Sequence, residues 1–334
     1  MKEKIEALSV LLSKPQEILI VTHPNPDGDA FGSVLALSLF LQQYGHTITA
    51  VSPTNYTKNF YWLPGIDTLL SYESKKDLVI QKIKTAKTIF CLDFNALSRI
   101  EEVGTHIAEA TAVKVMIDHH QMPEDFAAIP FSDTKYAATC EYLFDIMEAL
   151  GKSDCIDKNI ALNLYTGLAT DTGFFNFNNT TQHVHSVAGA LISRGVSPDF
   201  VQDKVFNIFR EERLRYFGYC LQNKLKVTLY GRLAYIMISK EEAAKFNLQS
   251  GDNEGLVNFP FKIEGIKVSV LFTEEVGKVK ISFRSKDKVD VNNFARKYFE
   301  GGGHINAAGG KSKLSLLETE SLFLLKAKEL FENH

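Results

Sequence analysis

Residues 17–33, Glu17-Ile18-Leu19-Ile20-Val21-Thr22-His23-Pro24-Asn25-Pro26-Asp27-Gly28-Asp29-Ala30-Phe31-Gly32-Ser33, decide the fold. The run Glu17 to Thr22 is short and apolar, the pattern of a buried strand. Pro24 and Pro26 stiffen the loop that follows, and Gly28 lets the backbone turn so that Asp27 and Asp29 face inward together. A helix resumes over Gly32 to Tyr44, with Gly45 as its stop. Taken alone, Asp27-Gly28-Asp29 reads as a solvated turn. Two acids within three residues nevertheless repel each other unless a cation neutralises them.

Working outward, the same texture repeats. Thr47 to Val51, Lys87 to Leu92 and Val113 to Ile117 read as strands, and the last two run into Asp93 and Asp118. Helical spacing is seen at Lys4 to Leu12, Thr139 to Leu150, Asn159 to Leu168 and Gln182 to Arg194. Strands alternating with helices favour a parallel sheet covered on both faces, with ligands beyond the carboxyl ends of the strands. Asp27, Asp29, Asp93, Asp118 and His119 all follow such ends. A charged helical stretch at Arg210 to Lys224 reads as a connector. Beyond it, strands are expected at Leu225 to Leu229, Leu233 to Ser239, Lys267 to Thr273 and Lys278 to Phe283, with a hairpin turn at Glu274-Glu275-Val276-Gly277. Helices follow at Val291 to Tyr298 and Leu317 to Phe331. The expected architecture is α/β: a parallel-sheet domain over 1–205, a helical linker over 206–224 and a smaller α/β domain over 225–334. The active site is expected in the cleft between the two domains.

Composition narrows the partners. The 334 residues carry a formal net charge of −3, with no surplus of cations for gripping long nucleic acid. A short or mononucleotide ligand needs only a few local cations. The four cysteines, Cys91, Cys140, Cys155 and Cys220, lack metal or redox spacing and read as reduced thiols. No apolar run reaches the ~18 residues of a membrane span, so a cytoplasmic protein is expected.

Asp118-His119-His120 and Thr170-Asp171-Thr172-Gly173 complete a set of acids and imidazoles suited to a divalent metal of intermediate hardness. In their order, His-x-Asn-Pro-Asp-Gly-Asp-Ala-x-Gly-Ser, a lone Asp, Asp-His-His and Asp-Thr-Gly, these motifs resemble the DHH superfamily of phosphoesterases. The tail resembles its associated C-terminal domain through Gly301-Gly302-Gly303-His304 and Ala307-Ala308-Gly309-Gly310. Glu254-Gly255-Leu256-Val257-Asn258 resembles the branch of nano-RNases that also act as pAp phosphatases. The resemblance implies two divalent ions, usually Mn²⁺. His23, Asp27 and Asp93 would hold one, and Asp29, Asp93, His119 and Asp171 the other. His120 would touch the scissile phosphate or the leaving group, and Asp118 would orient the histidines. Such a pair of ions activates a water for in-line attack on phosphorus.

In the second domain, the backbone N–H groups of Gly301, Gly302 and Gly303 can meet an anion, His304 adds a donor, and Arg284 can pair with phosphate in a bidentate manner. The implied activity is hydrolysis of oligoribonucleotides of 2–5 residues to mononucleotides, with pAp as a further substrate. Linear or cyclic dinucleotides form the alternative substrate class, and a non-catalytic nucleotide sensor the alternative of another kind. Short RNA or nucleotides are the expected partners, with neither long duplex nor membrane; a homodimer is compatible with the resemblance. His183 and His185 read as helix-surface residues, and Tyr56, Phe60, Tyr61 and Trp62 as an aromatic patch for packing or base stacking.

Overall fold

The computed structural model describes residues 1–56, 58–207, 209–249 and 251–331. The chain divides into two units, Met1–Ile208 and Phe209–His334. In the first, α1 (Lys2–Leu11) leads into β1 (Glu17–Val21) and α2 (Gly28–Gln42). Then come β2 (Thr47–Ser52), β3 (Leu70–Ser71), α3 (Lys76–Thr85), β4 (Thr88–Leu92), α4 (Glu101–Glu109), β5 (Val113–Asp118) and β6 (Ile129–Ser132). Helices α5 (Thr139–Ala149), α6 (Lys158–Asp171), α7 (Gln182–Ser193) and the short α8 (Pro198–Gln202) follow.

Among the described residues the first sheet has six strands, all parallel, in the order β3-β2-β1-β4-β5-β6. The two-residue period of a strand divides β1 between two cores. Ile18 and Ile20 join Phe31, Leu35, Phe40 and Tyr165 in the core built with α2, α5, α6 and α7. Leu19 and Val21 join Val79, Ile83, Val103 and Ile107 under α3 and α4. Burial on both faces is why these strands read as unbroken apolar runs. From β1 the chain crosses first to β2 and later to β4 on the opposite side. The order therefore reverses at β1, and the crevice beyond the ends of β1 and β4 is the natural ligand position.

Several local expectations change. Helix α2 begins at Gly28, four residues before the expected Gly32, because the Asp27 side chain caps it by accepting from the N–H groups of Asp29 and Ala30. Helix α6 runs on to Asp171 and does not end at Leu168, so Asp171 closes a helix and follows no strand. The edge strand β6 escaped notice because it carries Pro130, which only an edge tolerates.

The second unit contains α9 (Glu211–Asn223), β7 (Leu225–Thr228), β8 (Leu233–Ile238), α10 (Lys240–Ala244), β9 (Val268–Glu275), β10 (Lys278–Ser285), α11 (Val291–Tyr298), β11 (Gly302–His304), β12 (Ala307–Ser312) and α12 (Leu316–Lys326). Among its described residues the sheet runs β11-β12-β10-β9-β8-β7 and is mixed, with β8 and β9 parallel. Tyr235, Phe272, Phe283, Phe294 and Phe323 fill one face, while Tyr216, Phe217 and Cys220 of α9 pack with Ile236, Ile238 and Leu271 on the other. The β9–β10 hairpin turns through Gly277 at φ 75°, as the sequence suggests. The glycine motif of residues 301–304 is not an open loop. Gly302–His304 pairs with Ala307–Gly309 as an edge hairpin. No helix of the described residues is long and apolar enough to cross a membrane.

Helices α2 and α6 meet through glycine. A Cβ on Gly32 would lie 2.5 Å from the Asn163 carbonyl oxygen, which is backbone and cannot swing away. Gly32→Ala is expected to cost about 1–3 kcal/mol through overpacking. Each kcal/mol lowers the melting temperature by roughly 2–4 °C in a domain of this size. Gly189→Ala on α7, where nothing lies within 4 Å, is the control. Equal thermal midpoints for the two variants would show that this helix contact is not close.

Candidate metal centre

Hydrogen bonds within the protein define the shape of the loop after β1. Asn25 adopts a left-handed φ of 52° and its N–H donates to Thr54 Oγ1 at 2.7 Å. Asp27 caps α2 through Oδ1, at 3.0 Å from the Asp29 nitrogen and 3.1 Å from that of Ala30. His23 pairs Nδ1 with the Pro24 carbonyl at 2.8 Å. That contact fixes Nδ1 as a donor, so Nε2 is the nitrogen turned to the site. Nε2 lies 3.3 Å from Asp93 Oδ2 and 3.9 Å from Asp27 Oδ1.

Asp93 follows β4 with φ 64°, a conformation unusual for a residue other than glycine and one that clusters at functional sites. The Asp93 N–H still donates to Ile117 of the neighbouring strand at 3.0 Å, so the turn begins with the ladder intact. At the end of β5, His119 sets Nδ1 3.3 Å from the Tyr136 carbonyl. Its Nε2 lies 3.3 Å from Asp171 Oδ2, 3.5 Å from Asp93 Oδ1 and 3.9 Å from Asp29 Oδ2. Asp118, fully buried, accepts the His120 N–H at 3.0 Å on one oxygen and meets His120 Nδ1 at 2.7 Å on the other. Among the described residues of this unit three groups could hold a cation: His23, Asp27 and Asp93; Asp29, His119 and Asp171; and Asp93, Asp118 and His120. Asp93 turns one oxygen towards His23 and the other towards His119.

The electrostatics follow from burial. Burial pushes Asp29 well above the usual carboxylate range, and the charges of Asp93 and Asp171 add to this. Asp93 suffers the same burial, but hydrogen bonds with His119 and His23 outweigh it and hold the carboxyl well below that range. Asp171 is pushed up to about 6 by burial, opposed by its hydrogen bond with His119. Burial alone would lower His23; the Asp93 hydrogen bond and the charges of Asp27 and Asp93 raise it to about 9. His119 is likewise raised, against its burial, by hydrogen bonds with Asp171 and Asp93.

These groups fit a divalent cation. Imidazole and carboxylate donors sit about 2.1 Å from such an ion, which puts neighbouring donors ~3–4 Å apart. The donor atoms of each group lie within 4.8 Å of one another. Asp29 and Asp93 are buried deeply enough that positive charge beside them is favoured.

Every metal-ligand candidate named from the sequence is gathered here, together with His120 and Asp118. His183 is elsewhere, half-exposed on α7 and paired with Asp145 at 2.9 Å, and His185 stacks on Phe175. Phe60 and Tyr56 pack on Phe31 of α2, and Trp62 on Phe200. In the second unit, Arg284 lies on β10, its guanidinium donating to the Phe283 carbonyl at 2.9 Å. The Gly303 N–H donates to Asn292 Oδ1 at 2.9 Å, and the same oxygen accepts from Arg296 Nε. Sequence reasoning missed Tyr136 and also Asn179, whose amide donates to the Asp171 carbonyl at 3.1 Å. Both act through or on backbone carbonyls, which leave no mark in side-chain spacing.

Residues 17–168 match the family model "DHH family, N-terminal domain", and residues 231–333 match the "DHHA1 domain". The bifunctional oligoribonuclease and PAP phosphatase NrnA of Thermus thermophilus is 31% identical over 315 residues, 93% of this chain and 89% of that one. The protein of the same name from Bacillus subtilis is 28% identical over 87% of this chain and 88% of its own. A crystal structure of an exopolyphosphatase-related protein from Bacteroides fragilis is 36% identical, with a TM-score of 0.95, covering 98% of this chain and 96% of that one.

With His23 raised to about 9, the metal-free site carries this proton at neutral pH, and a cation must displace it from Nε2. Mn²⁺ added to metal-free protein in weak buffer is therefore expected to release protons. Its apparent affinity should climb between about pH 6 and 8, because rising pH removes the competing proton. Calorimetry in buffers of different ionisation enthalpy reads both effects; identical heats and a flat pH profile would rule the assignment out.

Proposed function

This chain belongs to the DHH family, and we propose that it is a metal-dependent phosphoesterase hydrolysing oligoribonucleotides of about 2–5 residues to mononucleotides. The observation that carries the reading is Asp93. One of its oxygens is 3.3 Å from His23 and the other 3.5 Å from His119. A single carboxylate between two ligand groups suits a pair of ions. The substrate class is supported by the relatives in Thermus thermophilus and Bacillus subtilis, both named as oligoribonuclease and PAP phosphatase and both similar over most of their length. Dephosphorylation of pAp is accordingly part of the proposal.

His23, Asp27 and Asp93 would hold one ion, and Asp29, Asp93, His119 and Asp171 the other. The mixed imidazole and carboxylate donors favour Mn²⁺ over Mg²⁺, which prefers oxygen alone. When bound, such ions lower the pKa of a water and neutralise charge that develops on phosphoryl oxygens. The protein's own residues do the rest. Asp118 holds His120 by both its N–H and its Nδ1, so Nε2 is the ring nitrogen that would meet a phosphate or leaving-group oxygen. Arg284, Gly301, Gly302, Gly303 and His304 would bind substrate phosphate, the arginine through paired N–H donors. A net charge of −3 gives a long RNA little added attraction per phosphate.

The test is mononucleotide release, with Mn²⁺, from RNAs of 2 to about 20 residues, pAp and cyclic dinucleotides. Dinucleotides to pentanucleotides and pAp are the expected substrates, and chelation should abolish turnover. Equal rates on a 20-residue RNA and a dinucleotide would contradict the length preference, and exclusive turnover of cyclic dinucleotides would replace the substrate class. Arg284→Ala is expected to keep two ions per chain and lose at least about tenfold in kcat/KM for oligonucleotides, roughly 1.4 kcal/mol. Loss of metal from that variant would show that Arg284 supports the fold instead.

A further inference from the structure

Helix α5 starts beside the acidic cluster and has no capping side chain of its own at Ala138. Its cap arrives from 110 residues away in the chain. Asp29 Oδ2 accepts the Thr139 N–H at 2.6 Å, and Asp29 Oδ1 accepts the Cys140 N–H at 2.9 Å. Thr139 also reaches the other acid, donating from Oγ1 to Asp93 Oδ1 at 3.0 Å. Thr139 and Asp29 have no exposed surface, and Asp93 is 2% exposed.

One residue thus hydrogen-bonds a carboxylate from each ligand group, with its amide on Asp29 and its hydroxyl on Asp93. Both bonds run to carboxyl groups, and the amide one is short at 2.6 Å. The positive end of the α5 dipole adds to the attraction. An ionised carboxylate has about four lone-pair sites, so one donor per oxygen leaves room for a cation. The β-branch limits Thr139 to few rotamers, so the hydroxyl direction is set by the helix. Asp93 needs such a guide because its backbone is already in a strained conformation.

We propose that Thr139 is a positioning residue for the metal centre, its hydroxyl and amide together fixing the separation and orientation of Asp93 and Asp29. The proposal rests on the two-ion reading above. It also accounts for the absence of a local cap on α5: the helix is capped by a metal ligand, so helix position and ligand position are one constraint.

The experiment compares the full-length protein with Thr139→Val, which keeps the amide and the shape but removes the hydroxyl, and Thr139→Ser, which restores the hydroxyl without the methyl. Mn²⁺ binding is measured by calorimetry and by the electron paramagnetic resonance signal of a coupled Mn²⁺ pair, with metal-free melting as the fold control. Thr139→Val is expected to weaken at least one of two ions by about 10-fold or more and to diminish the coupled signal, while Thr139→Ser stays within about threefold of the parent. Where Val does not fold, Ser against Ala makes the same comparison. Parent-like binding by the hydroxyl-free variant would overturn the proposal, as would equal losses in Ser and Val, which would assign the effect to packing at this position and not to the hydroxyl. A parent protein that binds no Mn²⁺ would instead bring down the two-ion reading, and this one with it.

Discussion

Burying Asp29 and Asp93 together is the constraint on which the first unit depends. Burial denies both the screening of bulk solvent, and the charge of Asp93 raises the cost of ionising Asp29. The fold answers differently at each acid. Asp93 lies between His23 and His119 and keeps its charge. Asp29 has the α5 amides on both oxygens but only a 3.9 Å approach to an imidazole. Against two neighbouring acids that is not enough, and Asp29 is left with a proton-binding tendency far above a free carboxylate. Helix α2 must bring Asp29 to this position, and it can do so only by approaching α6 closely. Gly167 permits this: a Cβ there would lie 2.7 Å from Asp29 Oδ1 and 2.3 Å from Cys140 Sγ. Backbone spacing and ligand placement are therefore the same requirement.

Much of this is legible in the amino-acid order because buried parallel strands leave unbroken apolar runs, and β1, β4 and β5 each end in a chemically distinctive residue. The ligand candidates could be named because the acids and histidines stand where a strand must end. Asp171 was named from its motif, yet its setting at the close of α6 was not readable, since helix ends are decided by packing. The Asp27 cap hid the true start of α2: Gly28 and Asp29 look like a turn until the cap is known. Thr139 was visible only as the first residue of a helix. Its partners lie 46 and 110 positions away, and no periodicity reports a contact of that kind. The short strand β3 and the proline-bearing β6 were illegible for lack of length and of a clean alternation.

The glycine motif of the second unit has a second explanation beside anion binding. A Cβ on Gly301 would sit 2.1 Å from the Gly309 carbonyl oxygen, and one on Gly303 would sit 2.4 Å from that of Ala307. Gly303 also takes a φ of 151°, at the margin of what a side chain tolerates. The hairpin of β11 and β12 thus needs these residues for its own closure. The Gly303 N–H is not left for an anion: Asn292, buried on α11, holds it and the Arg296 guanidinium on one oxygen.

Protons and cations compete for the same negative charge in the first unit. His23 raised to about 9, Asp171 to about 6 and Asp29 raised well above its usual range are one response: without a cation, the cluster recruits protons to neutralise itself. For His23 the elevated value means stability that is fully present below its ordinary value near 6.5 and is lost as pH rises through about 9. For Asp171 and Asp29 the elevated values mean that the ionised forms weigh against the fold at neutral pH, relieved as pH falls. The opposite signs place the metal-free centre in a compromise, with some acids ionised at a cost and the imidazoles protonated at a gain. A divalent ion would remove the compromise by replacing mobile protons with fixed charge. Three side chains are held by groups beyond the competing charges: Asp93 by Thr139, His119 by the Tyr136 carbonyl and His120 by Asp118. Such a frame would let charge be exchanged without the ligands moving, as a centre that must present a fixed geometry to phosphorus requires.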